Sequence, residues 1–507
     1  MPNSVSRNGA ESGDQLWLTG LFANRAVWAA LFLALSFALK ITTFGDVNRY
    51  ADETFYFLVG QQMHDGLLPY VDVWDRKPLG LFLIYYLIAG ISYSVLSYQI
   101  VACLFAAATA FIIALIVRGW SDHKAGVLAG LGYLFVITPF EGSTGQTPDF
   151  YNLFVAGAAL VLIRDMERLS NGVISWRSWL AMALCGIAIT IKQTAVFEAI
   201  FFGLAMLFCL YRGGLPPLRI LRIAAVAASI GAMPTLLIAG YYWQAGHWSE
   251  FWHAMVTSNF AKQAGPSDDT AHKALGLGLR LAIFAAFALW GLFSARLERP
   301  ARFFLGGWIV AALVGFLSVP NFYIHYTLPL LVPLAVAAGL LFSTHRMGLV
   351  LFVMTALYAM LWHSPLRSEF RRDSVQSMEQ LASLIRSHDG GGGLLVFDGP
   401  HYLYALTDKR VLSPLVFPHH LNHAIENNVS HLDTHDEVDR ILAAKPGVVV
   451  MARHPSNAPV NAYSRSRVLE YVRRNCAVSG VVMLKSTYFE KPVVVRGDCA
   501  RPDTSGG

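Results

Sequence analysis

The run AVWAALFLALSFALKITTF at 26–44 is followed, seven residues on, by ADETFYF at 51–57. Nineteen nearly uncharged residues are long enough to cross a bilayer as a helix. Two adjacent acids then follow at its far end. No small-x-small cleavage site follows the run, so it reads as an uncleaved first helix and not as a removed leader. Residues 1–25, including Arg7 and Arg25, are expected to form a cytoplasmic tail.

Working outward, similar runs recur at 98–117, 125–139, 150–164, 178–191, 194–211, 220–243, 276–295, 302–319, 324–342 and 347–363. The chain of 507 residues is 55% hydrophobic and 14% charged. A soluble chain carries about 25% charged residues, so this composition excludes an ordinary soluble enzyme. Residues 26–363 read as a membrane body with about eleven spans, and 364–507 as an extracytoplasmic domain. The net charge of +6 is explained by arginines in short loops and does not point to nucleic acid.

The run LGLFLIYYLIAGISYSVLS at 79–97 decides the parity of everything after it. If it does not cross, the cytoplasmic loops hold Arg118, Lys124, Arg164, Arg168, Arg177, Arg212, Arg219, Arg222, Arg296, Arg299, Arg302 and Arg346. The later outer loops hold only Lys192, Lys262 and Lys273. If it does cross, this distribution inverts. The positive-inside rule selects the first arrangement. The segment is therefore read as an interfacial or re-entrant helix within a first outer loop, 45–97. The segments 140–149 and 320–326 and the C-terminal domain share that outer side.

In the C-terminal domain, helices are expected at 373–387, 435–444 and 462–475, with strands at 394–398, 447–451, 477–485 and 489–496, a small α/β unit. The glycines 390–393 lack a following Gly-Lys-Ser/Thr and are read as a connection, not a phosphate loop. Cys476 and Cys499 flank the last two strands about a turn near Ser486 and Thr487, which predicts a cross-strand disulfide in an oxidising compartment. Cys103, Cys185 and Cys209 lie in apolar runs and are read as small buried residues.

Charged and aromatic groups collect at the outer face. Asp52 and Glu53 open the first loop. DRKPLG at 75–80 brings Asp75, Arg76 and Lys77. GQTPDF at 145–150 puts Asp149 at the mouth of one span, and TIKQTAVFE at 190–198 puts Lys192 between two, with Glu198 inside the next. NFYIHYTLPLLVP at 321–333 adds His325 and Tyr326. Each has a bland reading: a helix cap, a snorkelling lysine, an interfacial aromatic belt. Ions near hydrocarbon are costly, so their convergence on one face points to a site for an anionic, lipid-linked substrate.

These landmarks, in this order, resemble the membrane glycosyltransferases that include protein O-mannosyltransferases and the lipid A aminoarabinose transferases (glycosyltransferase family 39-like). The shared features are the Asp-Glu pair, Lys-Pro before the amphipathic segment, an Asp opening the fourth span, a Lys ending GIAITIKQ (186–193), and the His-Tyr and Pro pattern at 325–333. The resemblance covers roughly 26–345. It departs at Leu79, where many members carry a second proline, a change that affects the turn more than the chemistry. It implies a GT-C fold in the cytoplasmic membrane and a polyprenyl-phosphate sugar donor. It also implies inverting transfer, at the outer face, to a hydroxyl of an envelope glycolipid, glycan or protein. On that pattern Asp52 is the expected base, with Glu53 its neighbour and Asp149 orienting the acceptor, a lysine or a cation. Arg76, Lys77, Lys192, His325 and Tyr326 are expected to hold the donor. These acids would accept a divalent cation, but no ligand spacing demands one. The rival class is a transporter or flippase for a lipid-linked or anionic substrate. Matching internal halves would mark it, and the sequence shows none.

Overall fold

The computed structural model describes residues 24–499, apart from 143, 262–266, 320, 345, 364–368, 390, 456–458 and 487–488. Most of the tail containing Arg7, and also Lys262, Gly390 and Thr487, lie outside the described residues.

The chain begins with α1 (Arg25–Lys40), α2 (Ala51–His64), α3 (Leu79–Ala89), α4 (Val95–Trp120), α5 (His123–Ile137), α6 (Thr147–Ile163), α7 (Trp176–Ile191), α8 (Val196–Arg212) and α9 (Pro217–Gln244). It continues through α10 (Ser267–Ser294), α11 (Arg299–Leu317), α12 (Leu328–Thr344) and α13 (Gly348–His363). By length and composition, eight helices among the described residues can cross a membrane. Three more apolar helices, α6, α7 and α13, have 17, 16 and 16 residues and lie where spans were expected. The chain is a multi-pass membrane protein.

The ambiguous run 79–97 divides at Gly90. Its first part is α3, with 11 residues, and its second part joins the 26-residue α4. At about 1.5 Å per residue α3 rises roughly 16 Å, half the roughly 30 Å hydrocarbon thickness. It is too short to cross. Inside the bundle, α12 is the central helix, and nearly all of its residues from Leu328 to Phe342 are buried. Small residues allow its neighbours to approach. A Cβ on Gly339 would lie 2.2 Å from that of Ala129, and one on Gly291 would lie 2.1 Å from the Ala337 carbonyl oxygen.

The C-terminal part folds as α14 (Glu369–Ser387), β1 (Leu394–Asp398), α15 (Thr434–Ala443), β2 (Val448–Ala452), α16 (Ala462–Asn475), β3 (Val478–Lys485) and β4 (Glu490–Gly497), with three short helical turns between β1 and α15. The sheet order is β1-β2-β4-β3. β1 and β2 run parallel, and β4 is antiparallel to both β2 and β3. Side chains alternate between faces. Leu394, Val396, Val448 and Val450 face the core that holds Met378 and Leu381 of α14. Leu395, Phe397, Val449 and Met451 face a second core with Val438, Ile441, Val468 and Val472 of α15 and α16. Coverage on both faces explains why β1 and β2 are continuous apolar runs. Cys476 and Cys499 are joined by a disulfide beyond the ends of the β3–β4 pair.

The C-terminal part is docked on the long loop between α1 and α4. Trp74 of that loop is fully buried in the second core, and its backbone N–H donates to the Pro414 carbonyl at 2.9 Å. Ser374 Oγ donates to Asp46 Oδ1 at 2.6 Å.

Candidate active site

The site lies between the loop that joins α1 to α4, the ends of α6, α8 and α12 nearest that loop, and the C-terminal part. α2 starts at Ala51, so Asp52 and Glu53 occupy its first turn, where carboxylates favour the helix dipole. Neighbouring residues on a helix point about 100° apart. The two acids therefore have separate surroundings.

Asp52 is partly buried. Among the described residues it accepts no hydrogen bond, but it lies in the field of Lys77, His325 and Lys192. Burial pushes its carboxyl up; the Lys77 charge, followed by His325 and Lys192, outweighs this and holds it below the ordinary carboxylate value. It is an ionised acceptor with open lone pairs.

Glu53 points inward and is fully buried. Burial, followed by repulsion from Asp149 and Glu141, raises its carboxyl well above the usual range. Thr144 Oγ1 lies 2.5 Å from Glu53 Oε1 and 3.0 Å from the Glu141 carbonyl oxygen. A hydroxyl has one proton and the carbonyl can only accept. A protonated Glu53 supplies the second proton. Glu53 thus sits behind Asp52 as a buried, protonated carboxyl.

Asp149 was expected to orient the acceptor, a lysine or a cation. Its Oδ2 accepts from the backbone N–H groups of Thr144, Gly145 and Gln146, at 3.1, 3.1 and 3.0 Å. With Gln146 it forms a capping box at the start of α6. Its geometry is that of a clamp on loop 144–146.

Three basic side chains share one cavity. Arg76, Lys77, Lys192 and Tyr326, with Gln193 and Thr194, line a cavity of about 500 Å³. Lys77 Nζ lies 5.2 Å from the Tyr56 ring centre and Lys192 Nζ lies 4.8 Å from that of Tyr326. The Lys77 backbone is fixed by Asp75, whose Oδ1 accepts its N–H at 2.7 Å, and by Tyr70, whose hydroxyl donates to its carbonyl at 2.8 Å. Lys192 is the C-cap of α7. Burial, followed by the neighbouring Lys77 charge, lowers its ammonium to about 7. His325 pairs with Glu141 at 3.2 Å, and its ring meets that of Tyr326 edge-on at 4.8 Å. Lys192, Thr194, His325 and Tyr326 also border a deeper pocket reaching Tyr151 and Glu198. There Trp308 Nε1 donates to Glu198 Oε1 at 2.8 Å.

Sequence reasoning missed the C-terminal contributors. Arg76 Nη2 donates to Glu426 Oε1 at 3.0 Å. His401 Nε2 lies 3.2 Å from Thr54 Oγ1, one helical turn from Asp52's end of α2, and burial keeps its imidazole near pKa 3, neutral. Phe417 packs edge-on to Phe55 at 5.2 Å. Glu141 was also missed. It sits at φ 65°, a left-handed conformation uncommon outside glycine. Among the described residues no three His, Cys, Asp or Glu side chains gather as metal ligands.

Solved structures share this arrangement of helices. ArnT from Cupriavidus metallidurans matches over 96% of this chain and 98% of that one. In the apo state the TM-score is 0.60 at 14% identity; bound to undecaprenyl phosphate it is 0.56 at 13%. The chain has a GT-C-like membrane fold. The oligosaccharyltransferase of Archaeoglobus fulgidus in its apo form resembles this GT-C-like fold less completely, with TM-score 0.52 and 10% identity, over 84% of this chain and 69% of that one. No protein-family model and no curated protein matches the sequence. The GT-C-like fold places a polar site at one end of a helical bundle; the side chains in that site decide what it can do.

Proposed function

We propose that this chain is a glycosyltransferase that moves one sugar from a polyprenyl-phosphate carrier to an acceptor hydroxyl at the outer face of the cytoplasmic membrane, with inversion. The observation that carries this reading is one ionised carboxylate, Asp52, without hydrogen-bond donors among the described residues, in the field of Lys77 and Lys192, which line a 500 Å³ cavity. The fold's likeness to ArnT, which was crystallised with undecaprenyl phosphate, adds support for a polyprenyl donor. The acceptor is a glycolipid, a glycan or a protein of the cell envelope.

The chemistry is a single displacement. The acceptor oxygen forms a bond to the anomeric carbon as that carbon's bond to the phosphate oxygen breaks. Asp52 takes the acceptor proton. The leaving lipid phosphate gains charge, which Lys77, Lys192 and Arg76 stabilise in a partly dehydrated site. Asp149 contributes by holding loop 144–146, and His325 and Tyr326 contribute by shaping the wall beside Lys192. Glu53 stays protonated behind the base.

The test is transfer in proteoliposomes with a labelled polyprenyl-phosphate sugar and envelope acceptors. Release of free polyprenyl phosphate coupled to acceptor labelling is expected. Asp52→Asn is expected to fold with an unchanged melting profile and to lose about 10²–10⁴ in rate. Full activity in that variant removes Asp52 from the mechanism. Vectorial movement of intact donor without phosphate release assigns the site to a transporter.

A further inference from the structure

A large apolar opening in the bundle lies far from Asp52, at the end where α8 finishes and α11 starts. Its volume is about 740 Å³. Leu204, Phe208 and Phe303 line it and are exposed by 60, 63 and 79%. Such exposure on a membrane-spanning surface faces lipid chains. At the rim the chemistry changes. Arg212 in the last turn of α8 and Arg299 in the first turn of α11 both line the opening. Among the described residues no carboxylate lines it; Asp165, Glu167 and Glu298, the acids nearest in sequence, do not contribute to its wall. α11 begins with no side-chain cap from its N-cap residue Glu298, so its positive end adds to the two guanidinium charges.

From Arg212 back to Leu204 is eight residues of helix, about 12 Å. That is the run from a phosphate at the interface into the acyl layer. Two cations above an apolar groove match an anionic headgroup carrying apolar chains.

We propose that this groove binds a glycerophospholipid with an anionic headgroup from the near, cytoplasmic leaflet. Its phosphate sits between Arg212 and Arg299, and its acyl chains lie along Leu204, Phe208 and Phe303. Basic pockets between helices on the cytoplasmic side favour such headgroups. The site is separate from the cavity at Lys192 and does not depend on the transferase reading.

The experiment uses the full chain in nanodiscs of mixed phosphatidylcholine and phosphatidylglycerol, followed by native mass spectrometry of retained lipid. Wild type is expected to retain the anionic lipid with roughly tenfold preference over the zwitterionic one. Arg212→Gln with Arg299→Gln is expected to abolish the preference without shifting the melting temperature in neutral detergent. Equal retention of both lipids by the wild type overturns the proposal whatever the variant does, and so does a preference that survives in a folded double variant. Displacement of phosphatidylglycerol by equimolar polyprenyl phosphate overturns the choice of occupant.

Discussion

Asp52, Lys77 and Lys192 were legible because an ion beside hydrocarbon needs a partner or a task. What sequence could not show was direction. Glu53 follows Asp52 immediately, yet it turns into the protein toward Thr144. Asp149 Oδ2 accepts from three backbone N–H groups, partners that no side-chain pattern reveals. Two predictions follow from the titrations. The ammonium of Lys192, proposed to hold the donor, is lowered to about 7 by burial and by Lys77. It is charged below that value and neutral above it. Donor KM is therefore expected to rise as pH climbs through about 7, and Lys192→Arg is expected to remove that limb, since a guanidinium stays charged. A pH series of KM and kcat in both proteins checks this; an unchanged alkaline limb in the variant assigns it to another group. Glu53 behaves oppositely. Burial, then Asp149 and Glu141, raise its folded value. The folded state keeps the proton as the unfolded state loses it, so this residue's contribution falls as pH rises from the ordinary carboxylate value. Glu53→Gln is expected to gain stability relative to wild type between pH 4 and pH 7, by a few degrees in melting temperature. A constant difference across that range means Glu53 is ionised in the fold.

At the scale of elements, the C-terminal strands and helices were read to within a few residues, because periodicity of two and of 3.6 is a local signal. Their docking was not. Arg76 and Glu426 are 350 residues apart, and Trp74 reads as one aromatic in a loop until its burial among Phe397, Leu415 and Val449 is seen. These contacts hold the C-terminal part against the loop that carries Asp52 and Arg76. Glu426 is buried and bonded to Arg76 at 3.0 Å. Removing one partner of such a pair leaves an uncompensated charge and costs on the order of 3 kcal/mol. Glu426→Ala is expected to lower the melting temperature, to raise donor KM by freeing Arg76, and to open the C-terminal part to limited proteolysis. Trp74→Ala removes a fully buried indole, at a cost of about 3–5 kcal/mol. Proteolysis at the boundary near residue 369 is expected to accelerate while the bundle remains intact in detergent. Unchanged protection in both variants shows that the interface is held elsewhere.

At the scale of the whole molecule, one short helix sets the sidedness of every later loop. α3 has 11 residues and cannot reach across the hydrocarbon layer. With it confined to one side, the arginines at 118, 164, 168, 177, 212, 299 and 302 fall together at one end of the bundle. Asp52, Lys77, Lys192 and His325 gather at the other. The positive-inside rule then gives the first end to the cytoplasm and the acids and lysines to the outside. This orientation follows from composition and is open to direct measurement. Ser92 lies beyond α3, Asp436 lies on α15, and Asn171 lies between α6 and α7; all three are exposed. Single reporters Ser92→Cys, Asp436→Cys and Asn171→Cys are made in a background where Cys103, Cys185 and Cys209 are replaced by alanine. A membrane-impermeant maleimide on intact spheroplasts is expected to label the first two, and to label the third only after permeabilisation. Labelling of all three from outside breaks the alternation of spans between α3 and α7. Labelling of Asn171 alone inverts the molecule. A donor built on the outer leaflet then has no route to Asp52, and the transferase reading fails together with the orientation.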